Sequence, residues 1–278
     1  MARTIGITAT RPRPLLILGI ISLIGLAACG GSASAGPSQD TGATAPPVGT
    51  PAPSVDAGSG QSSAPGNGSS AFESATAALD ALDSYAFSVE IASTTAANGV
   101  DTVSHSIMSG VVENKPDKAS SLIQQELDAD GNVTSNSGII VIGAKAWISD
   151  GAEPPTWTEI PATQADLFIQ SMAAFRPEQM FGLYFAGIGG NFTSVGDETK
   201  NGVQATHFKG DDAIGSILGS IAGFQGTWTS DAWIAKDGGF LVHSEAGATG
   251  TAAGAGGSYK IVVDITKPNS AGPVEPPQ

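Results

Sequence analysis

The sequence predicts an α+β domain in which helices cover the concave side of one large antiparallel sheet. Segments where apolar and polar residues alternate with a period of two dominate the chain after residue 84. Turn sequences such as Asp130-Gly131 and Asp237-Gly238-Gly239 separate these segments, and helical periodicity is confined to a few stretches between them. Because most connections between the predicted strands are short, the strands are expected to pair antiparallel.

The folded part is predicted to open with a short amphipathic helix. Ser70 and Glu73 have capping-box spacing, and apolar residues follow at intervals of three and four: Phe72, Ala75, Leu79 and Leu82. After Asp83-Ser84 an alternating strand with one buried face is expected, and its apolar residues are Tyr85, Phe87, Val89 and Ile91. Further strands are predicted at 103–112, 119–127, 138–142, 145–149 and 157–161.

Two apolar helices are predicted next. Thr163 can cap the first, whose apolar face holds Ala165, Phe168, Met172 and Phe175, widened by Leu167 and Ile169. Pro177 suits the first turn of the second, which is apolar nearly all round and is therefore expected to be buried; it carries Met180, Phe181, Leu183, Tyr184, Phe185 and Ile188. On the residues alone, these helices face either the sheet or a ligand, and packing on the sheet is the commoner outcome.

The last part of the domain is predicted to return to strands. Strands are expected at 191–195 and 203–209, followed by a short helix whose apolar side holds Ile214, Ile217, Leu218 and Ile221. Gly215 and Gly219 weaken that helix prediction. A meander with strands at 227–235, 240–246 and 258–265 closes the domain. The Gly/Ala-rich stretch from 246 to 258 is interpreted as a loop too small and flexible to wall a cavity.

The amino-terminal residues have the layout of a signal peptide, predicted to cover 1–28. Arg3, Arg11 and Arg13 precede an uncharged apolar run of about 14 residues, short of the roughly 20 that a membrane-spanning helix needs, so a permanent transmembrane anchor is the weaker alternative. Leu26-Ala27-Ala28-Cys29 resembles the lipobox of bacterial lipoproteins, and Cys29 is the only cysteine. The resemblance implies cleavage before Cys29, a diacylglyceryl thioether on its sulfur and a further acyl chain, such as palmitate, on its amino group.

Amino-acid composition divides the chain after the signal peptide into three parts. Residues 29–69 consist of the lipidated cysteine and a Gly/Ser/Pro-rich flexible linker, residues 70–268 form the folded domain, and residues 269–278 are expected to be an irregular tail. Removal of the signal peptide takes away three arginines and no acid, so the net charge falls from −14 to about −17. Such a chain is repelled by nucleic acid and by anionic head groups. Membrane attachment is therefore expected to depend on Cys29.

Several segments of the domain resemble one known group of proteins. They are Leu79–Phe87, Ile142–Ile148, Trp157–Pro161, Trp233–Val242 and Ile261–Ile265. Together they make residues 71–268 similar to the LolA-like superfamily, and within it to bacterial lipoproteins of the LppX/LprG type. The resemblance implies a sheet curved into a half-open β-barrel that encloses an apolar cavity for acyl chains. It also implies a role similar to that of carriers that move lipids or lipoproteins across the cell envelope.

On this basis we expect a lipid-anchored monomer on the outer side of the cell membrane that binds a lipid-like ligand. The candidate cavity residues are Phe87, Val89, Ile91, Phe168, Met172, Phe175, Met180, Phe181, Tyr184, Ile214, Ile217, Leu218 and Ile221. The alternative is a sensor or structural envelope lipoprotein that binds another protein and fills the cavity with its own side chains.

Little in the sequence indicates catalysis. His105, His207 and His243 lie in separate predicted strands without paired spacing, so surface or half-buried strand histidines are favoured over a three-histidine metal site. Asp128-Ala129-Asp130-Gly131-Asn132 looks like the start of a calcium loop, but Ile139 stands where that loop needs glutamate, which favours a hairpin turn. We therefore expect no enzymatic activity, no cofactor and no bound metal.

Overall fold

The computed structural model describes residues 68–97, 99–152, 154–173, 175–179 and 191–278. The chain divides into two units, residues 1–59 and 60–278, and all described residues belong to the second. The predicted signal peptide, Cys29, the linker up to residue 67, and the second apolar helix beyond residue 179 lie outside the described residues. That helix includes the candidate residues Met180, Phe181 and Tyr184. The predicted domain boundaries stay predictions.

One open antiparallel sheet, with eleven strands in the described part of the chain, forms the frame of the domain. In space the strands follow the order β6-β5-β4-β3-β2-β1-β11-β10-β9-β8-β7, so β6 and β7 are unpaired edges of a curved half-open barrel. The α+β prediction is confirmed. The strands are β1 Ser84–Ala97, β2 Val100–Glu113, β3 Ala119–Leu127, β4 Val133–Ile142, β5 Lys145–Ser149, β6 Trp157–Glu159, β7 Phe192–Lys200, β8 Val203–Gly210, β9 Phe224–Ala235, β10 Leu241–Ala252 and β11 Ala255–Thr266.

Three helices pack on the sheet in the described residues. They are α1 Gly68–Ala81, which contacts β7, β9 and β10, α2 Ala162–Ala173, which contacts β5, and α3 Asp212–Ala222, which contacts β9. The Asp211 carboxylate accepts a hydrogen bond from the Ala213 amide at 2.9 Å and caps the start of α3, while Gly223, at φ 66°, ends it in the left-handed conformation. None of the helices in the described ranges combines the length and apolar character needed to span a membrane.

The sheet has two ends of different construction. At the base end lie the carboxyl terminus of α1 and the turns after β2, β4, β7 and β9. At the mouth end lie the tips of the β1–β2, β3–β4 and β10–β11 hairpins. Thr94 pairs with both Val103 and Ser258, whereas β3 already ends at Leu127, opposite His105. The first tip, formed by residues 94–97 and 99–103, therefore extends beyond β3, whereas β9 stays paired with the second tip as far as Ala252. These two outermost tips, at residues 94–103 and 249–258, are here called the projecting hairpins.

The hydrophobic core lies toward the base end, between the concave face and α1. Leu79 of α1, Tyr85 of β1 and Ile265 of β11 are fully buried there. Phe72 joins α1 to the far side of the sheet: its ring stacks on Phe192 with a centroid separation of 4.5 Å and meets Phe208 edge-on at 5.5 Å. Both arrangements are favourable for aromatic pairs. This packing fixes α1 against the concave face.

The predicted Gly/Ala-rich loop at 246–258 is wrong, because these residues form the outer parts of β10 and β11. A single tight turn at Ala253-Gly254 joins the two strands. Glycine is required within them where neighbouring backbones come close: a Cβ on Gly250 would lie 2.0 Å from the Gln225 carbonyl oxygen, and one on Gly257 would lie 1.9 Å from that of Thr94. Glycine at these positions therefore allows the paired strands to coil tightly and does not indicate a loop.

The two glycines that weakened the prediction of α3 have a packing role. A Cβ on Gly215 would lie 2.9 Å from Cβ of Trp228, and one on Gly219 would lie 2.6 Å from the Phe224 carbonyl oxygen. Both positions face β9, four residues apart on the same side of the helix. Without side chains there, α3 lies directly on β9, and the packing compensates for the low helix propensity of glycine.

The apolar face of α2 is narrower than predicted. Ala165 is buried, while Phe168, Ile169 and Met172 are half-buried. Leu167 is 76% exposed, so the prediction that it widens the packed face is wrong. Among the described residues the main contact of this helix is with the short strand β5, near one edge of the sheet. Such a narrow support leaves its outer side in solvent.

Candidate functional site

The concave face of the sheet is apolar toward the base end. Successive side chains of a strand point to opposite faces, so Phe87, Val89 and Ile91 of β1 share this face. Phe87 and Val89 are 5% and 2% exposed and belong to the packed core. Ile91 is only partly buried. Three further partly buried side chains lie with it against the core: Met108, Leu122 and Ile261.

Above this apolar band the same face carries small side chains on β1, β2 and β10 and aromatic side chains on β9 and β11. The register carries the row of Ile91 across to Ser106 on β2 and, through Ile261, to Ala246 on β10. One row closer to the mouth the facing residues are Ser104, Ser93, Tyr259, Ala248 and Trp228. Serine side chains on β1 and β2 fill little of the space inside a curved sheet. Ala246 and Ala248 on β10 are covered by their neighbours and are only 8% and 6% exposed.

An aromatic group marks the mouth side of the concave face. Trp228 meets Phe224 edge-on, with ring centroids 6.3 Å apart, and lies 5.7 Å from the ring of Tyr259. Within the described residues the indole Nε1–H of Trp228 is buried and has no hydrogen-bond acceptor. A buried donor of this kind is costly unless a bound group or water satisfies it. It therefore offers a hydrogen bond to a polar atom entering from the mouth.

An open cleft of about 790 Å³ adjoins these rings, between α3 and the first residues of β9. Its size falls within the range of roughly 300–1,000 Å³ that is usual for ligand sites. The lining is mostly small and polar: Asp212, Gly215, Ser216, Gly219, Ser220, Gly223, Phe224, Gln225, Gly226, Thr227 and Trp228. The cleft thus places polar groups next to Trp228, which belongs to the concave face.

The structure brings together only part of the predicted cavity set. Ile214 is buried in the same core cluster as Phe87 and Val89, and Leu218 packs against that cluster. Ile217 is exposed, so it does not line the interior in this arrangement. Phe168, Met172 and Phe175 are half-buried on and after α2, outside that cluster. Ile221 lies in α3, but its side chain, like Met180, Phe181 and Tyr184, is outside the described part.

Several residues of the concave wall were not identified from the sequence. Met108, Leu122 and Ile261 lie on predicted strands, but their place beside Ile91 depends on strand register across β3, β2, β1 and β11. Trp228 and Tyr259 also lie within strands and meet only because β9 and β11 both pair with β10. The only signal in the sequence was the apolar–polar alternation within each strand. Alternation shows which residues of one strand share a face of the sheet, but not which residues of other strands lie beside them.

A buried polar network fixes the segment that follows α2 at the base end. The Tyr85 hydroxyl donates to the Glu178 carboxylate at 2.5 Å, and Arg176 forms an ion pair with the same carboxylate. Arg176 also donates to the Asn114 side-chain oxygen at 2.5 Å, and Asn114 donates in turn to the carbonyls of Leu79 and Leu82. Burial, with the neighbouring Glu178 charge, raises the pKa of Tyr85 far above its usual value.

The three histidines lie away from the concave wall's apolar band. His207 stacks on Trp233 at 4.2 Å, and His243 meets the edge of the same ring at 4.9 Å. Each imidazole has its own carboxylate: His207 contacts Asp231 and His243 contacts Asp264, both at 2.7 Å, while His105 contacts Glu90 at 3.0 Å. Across the described ranges no group of three or more His, Cys, Asp or Glu side chains is arranged to hold a metal ion.

Comparison with models of protein families gives no match for this chain. Comparison with curated proteins gives none either.

Solved structures similar to this chain include two mycobacterial lipoproteins. LppX of Mycobacterium tuberculosis is 17% identical, with a TM-score of 0.40, over 74% of this chain and 97% of LppX. LprF from Mycobacterium bovis is 11% identical, with a TM-score of 0.41, over 77% of this chain and 99% of LprF. A LolA superfamily protein from Nitrosomonas europaea is 10% identical, with a TM-score of 0.22, over 74% of this chain and 94% of its own. The fold class itself is established by the sheet and helices described above.

Proposed function

We propose that this domain binds a lipid-like ligand whose acyl chains lie along the concave face of the sheet. One observation carries the proposal: the partly buried apolar side chains of Ile91, Met108, Leu122 and Ile261 form one band on the concave face, which continues into the small serine side chains of β1 and β2. A lipid carrier needs such an apolar wall, because an acyl chain forms no hydrogen bonds and its binding is driven by the transfer of apolar surface out of water.

The cleft beside α3 suits the polar end of the same ligand. Asp212, Gln225 and the indole N–H of Trp228, which has no acceptor among the described residues, lie at its wall. The Trp228 ring connects the cleft to Tyr259 on the concave face. Each methylene buried on the concave face contributes about 0.8 kcal/mol, so affinity is expected to rise with acyl-chain length. A ligand that used only the cleft would show no such dependence.

We further propose that the chain is an envelope lipoprotein, anchored by acyl chains on Cys29 and acting as a monomer on the outer side of the membrane. The motif Leu26-Ala27-Ala28-Cys29 and the strongly acidic composition support this anchor. Two or more acyl chains are sufficient for stable attachment. Metabolic labelling with palmitate should mark the wild-type chain and leave the Cys29→Ser variant unlabelled; a labelled variant would contradict the anchor.

The ligand is tested by native mass spectrometry and lipid extraction on residues 60–278, the compact unit that contains the entire core, exported in a bacterial host and purified without detergent. We expect a co-purifying lipid of defined mass. Ser106→Leu, which fills the concave face of β2, should abolish it. Ser109→Leu makes the same change three residues later on the opposite face and should leave it intact.

An empty protein that also takes up no added acyl probe would overturn the lipid-binding proposal. In that case a sensor or structural role becomes the better explanation, and a stoichiometric protein partner should be recovered from the envelope.

A further inference from the structure

The projecting hairpins are almost uncharged, although the chain is strongly acidic. Residues 94–103 and 249–258 consist of Gly, Ala, Ser, Thr, Val and Asn, with Asp101 as their single charged residue. Val100 at the first tip is 66% exposed, and Val103 beside it is 43% exposed. Charged side chains on exposed strands normally keep them from associating with other surfaces. These tips combine exposed apolar side chains with few charges.

The base end has the opposite character. Six lysines lie in or next to its turns: Lys115, Lys118, Lys145, Lys200, Lys236 and Lys267. Several of them form surface ion pairs, for example Lys115 with Asp83 at 2.7 Å. Neither projecting hairpin contains a lysine or an arginine. The base end therefore prefers water. The two projecting hairpins prefer a less polar surface, unlike the shorter β3–β4 tip, which carries Asp128 and Asp130.

The direction of α1 places its amino-terminal end on the mouth side of the sheet. Phe72, in the first half of α1, contacts Phe192 at the start of β7, on the mouth side. The helix then ends at the base, where Leu79 and Leu82 meet Asn114. The chain thus enters α1 from the mouth side. Only 38 residues separate Cys29 from Gly68, and a Gly/Ser-rich tether of that length reaches about 35 Å on average.

From these observations we propose that the two projecting hairpins dock on the surface of the lipid bilayer, with the mouth of the concave face turned toward the membrane. The inference rests on the proposed lipid anchor and adds an orientation to it. Val100 and Val103 enter the interfacial region, while the small side chains of the β10–β11 tip lie flat against it. Because the chain is acidic, neutral lipid surfaces are preferred over anionic ones.

The test uses the chain from residue 29 with Cys29→Ser and an amino-terminal hexahistidine tag, held on phosphatidylcholine vesicles by a nickel-chelating lipid. One environment-sensitive fluorophore is attached at Val100→Cys in one sample and at Ala144→Cys, in the exposed β4–β5 turn of the base end, in another. Lipids with a nitroxide on the acyl chain quench only fluorophores in contact with the bilayer. We expect loss of most of the fluorescence at position 100 and almost none at position 144.

A second variant checks that the hairpin itself makes the contact. Val103→Asp in the sample labelled at position 100 should restore the fluorescence, whereas Val103→Thr should keep the quenching. Quenching at position 144 alone, at both positions alike, or at neither would overturn the orientation. Failure of lipid binding is recognised separately, because mass spectrometry on residues 60–278 reports the ligand and not the membrane contact.

Discussion

The base and mouth ends of the sheet show two ways of using the same antiparallel strands. At the base, large side chains such as Tyr85 and Ile265 fill the space under α1, and buried polar groups pair with one another. At the mouth, the same strands carry mainly glycine, alanine, serine and threonine, and the β1–β2 tip extends beyond β3. The difference indicates that stability is concentrated at the base, which leaves the mouth side free to hold a ligand.

The largest effect is expected from breaking the polar network of the base. Arg176→Met leaves the buried Glu178 carboxylate without its cation, which should lower the free energy of unfolding by about 3–5 kcal/mol. Chemical denaturation measures the change. Lys115→Met, which breaks an exposed ion pair at the same end, should cost at most about 1 kcal/mol. A similar decrease in the free energy of unfolding for both variants would show that the buried network stabilises the base no more than the exposed ion pair does.

A backbone clash should produce the next largest effect, at the mouth. Gly257→Ala places a Cβ 1.9 Å from the Thr94 carbonyl oxygen, and the required shift should cost about 1–3 kcal/mol. The neighbouring Gly256 has open space around its Cβ position, so Gly256→Ala should change stability by less than about 0.5 kcal/mol. Thermal unfolding of the pair separates them. Equal unfolding temperatures for the two variants would mean that the backbone of β11 shifts away from Thr94 at little energetic cost.

The cap of α3 lies between these extremes. Asp211→Ala removes the hydrogen bond to the Ala213 amide and should lower the free energy of unfolding by about 1 kcal/mol. Because α3 forms one wall of the cleft, hydrogen exchange should speed up in α3 but not in β1. Ser220→Ala, on the exposed side of the same helix, is the control. Faster exchange in both elements would indicate that α3 is coupled to the base.

The smallest effect is expected at the tip of the first projecting hairpin. Val100→Thr exchanges an exposed side chain for one of the same shape, so stability should stay within about 0.5 kcal/mol of the wild type. The same exchange at Val112, buried at the base end of the same strand, should cost about 1–3 kcal/mol because it buries a hydroxyl. Denaturant midpoints of the two variants test the contrast. A marked decrease in stability of the Val100→Thr variant would show that the hairpin tip has a structural role.

Strands with clear alternation were predicted well from the sequence. The predicted bounds of β3 and β5, 119–127 and 145–149, agree with those observed. The strands at 246–258 were missed because glycine and alanine carry no apolar–polar pattern, so their pairing partners decide their conformation. The exposure of Leu167 was missed for a related reason: periodicity marks an apolar stripe but not the width of the surface that receives it.

The candidate site was predictable only in part. Phe87, Val89 and Ile91 share a face by alternation, yet only packing distinguishes the buried pair from the partly buried Ile91. The cleft beside α3 could not be foreseen, since it depends on Gly215 and Gly219 lying against β9.

The sequence alone determined the fold class and its acidic, almost arginine-free surface, because alternation, turn residues and charge are local properties of the chain. Only the tertiary structure decided which end of the sheet is filled and which is open. Register brings residues from β3, β2, β1, β11, β10 and β9 into one wall, and close backbone contacts decide where no side chain fits. Both depend on contacts between residues far apart in sequence, which no local pattern specifies.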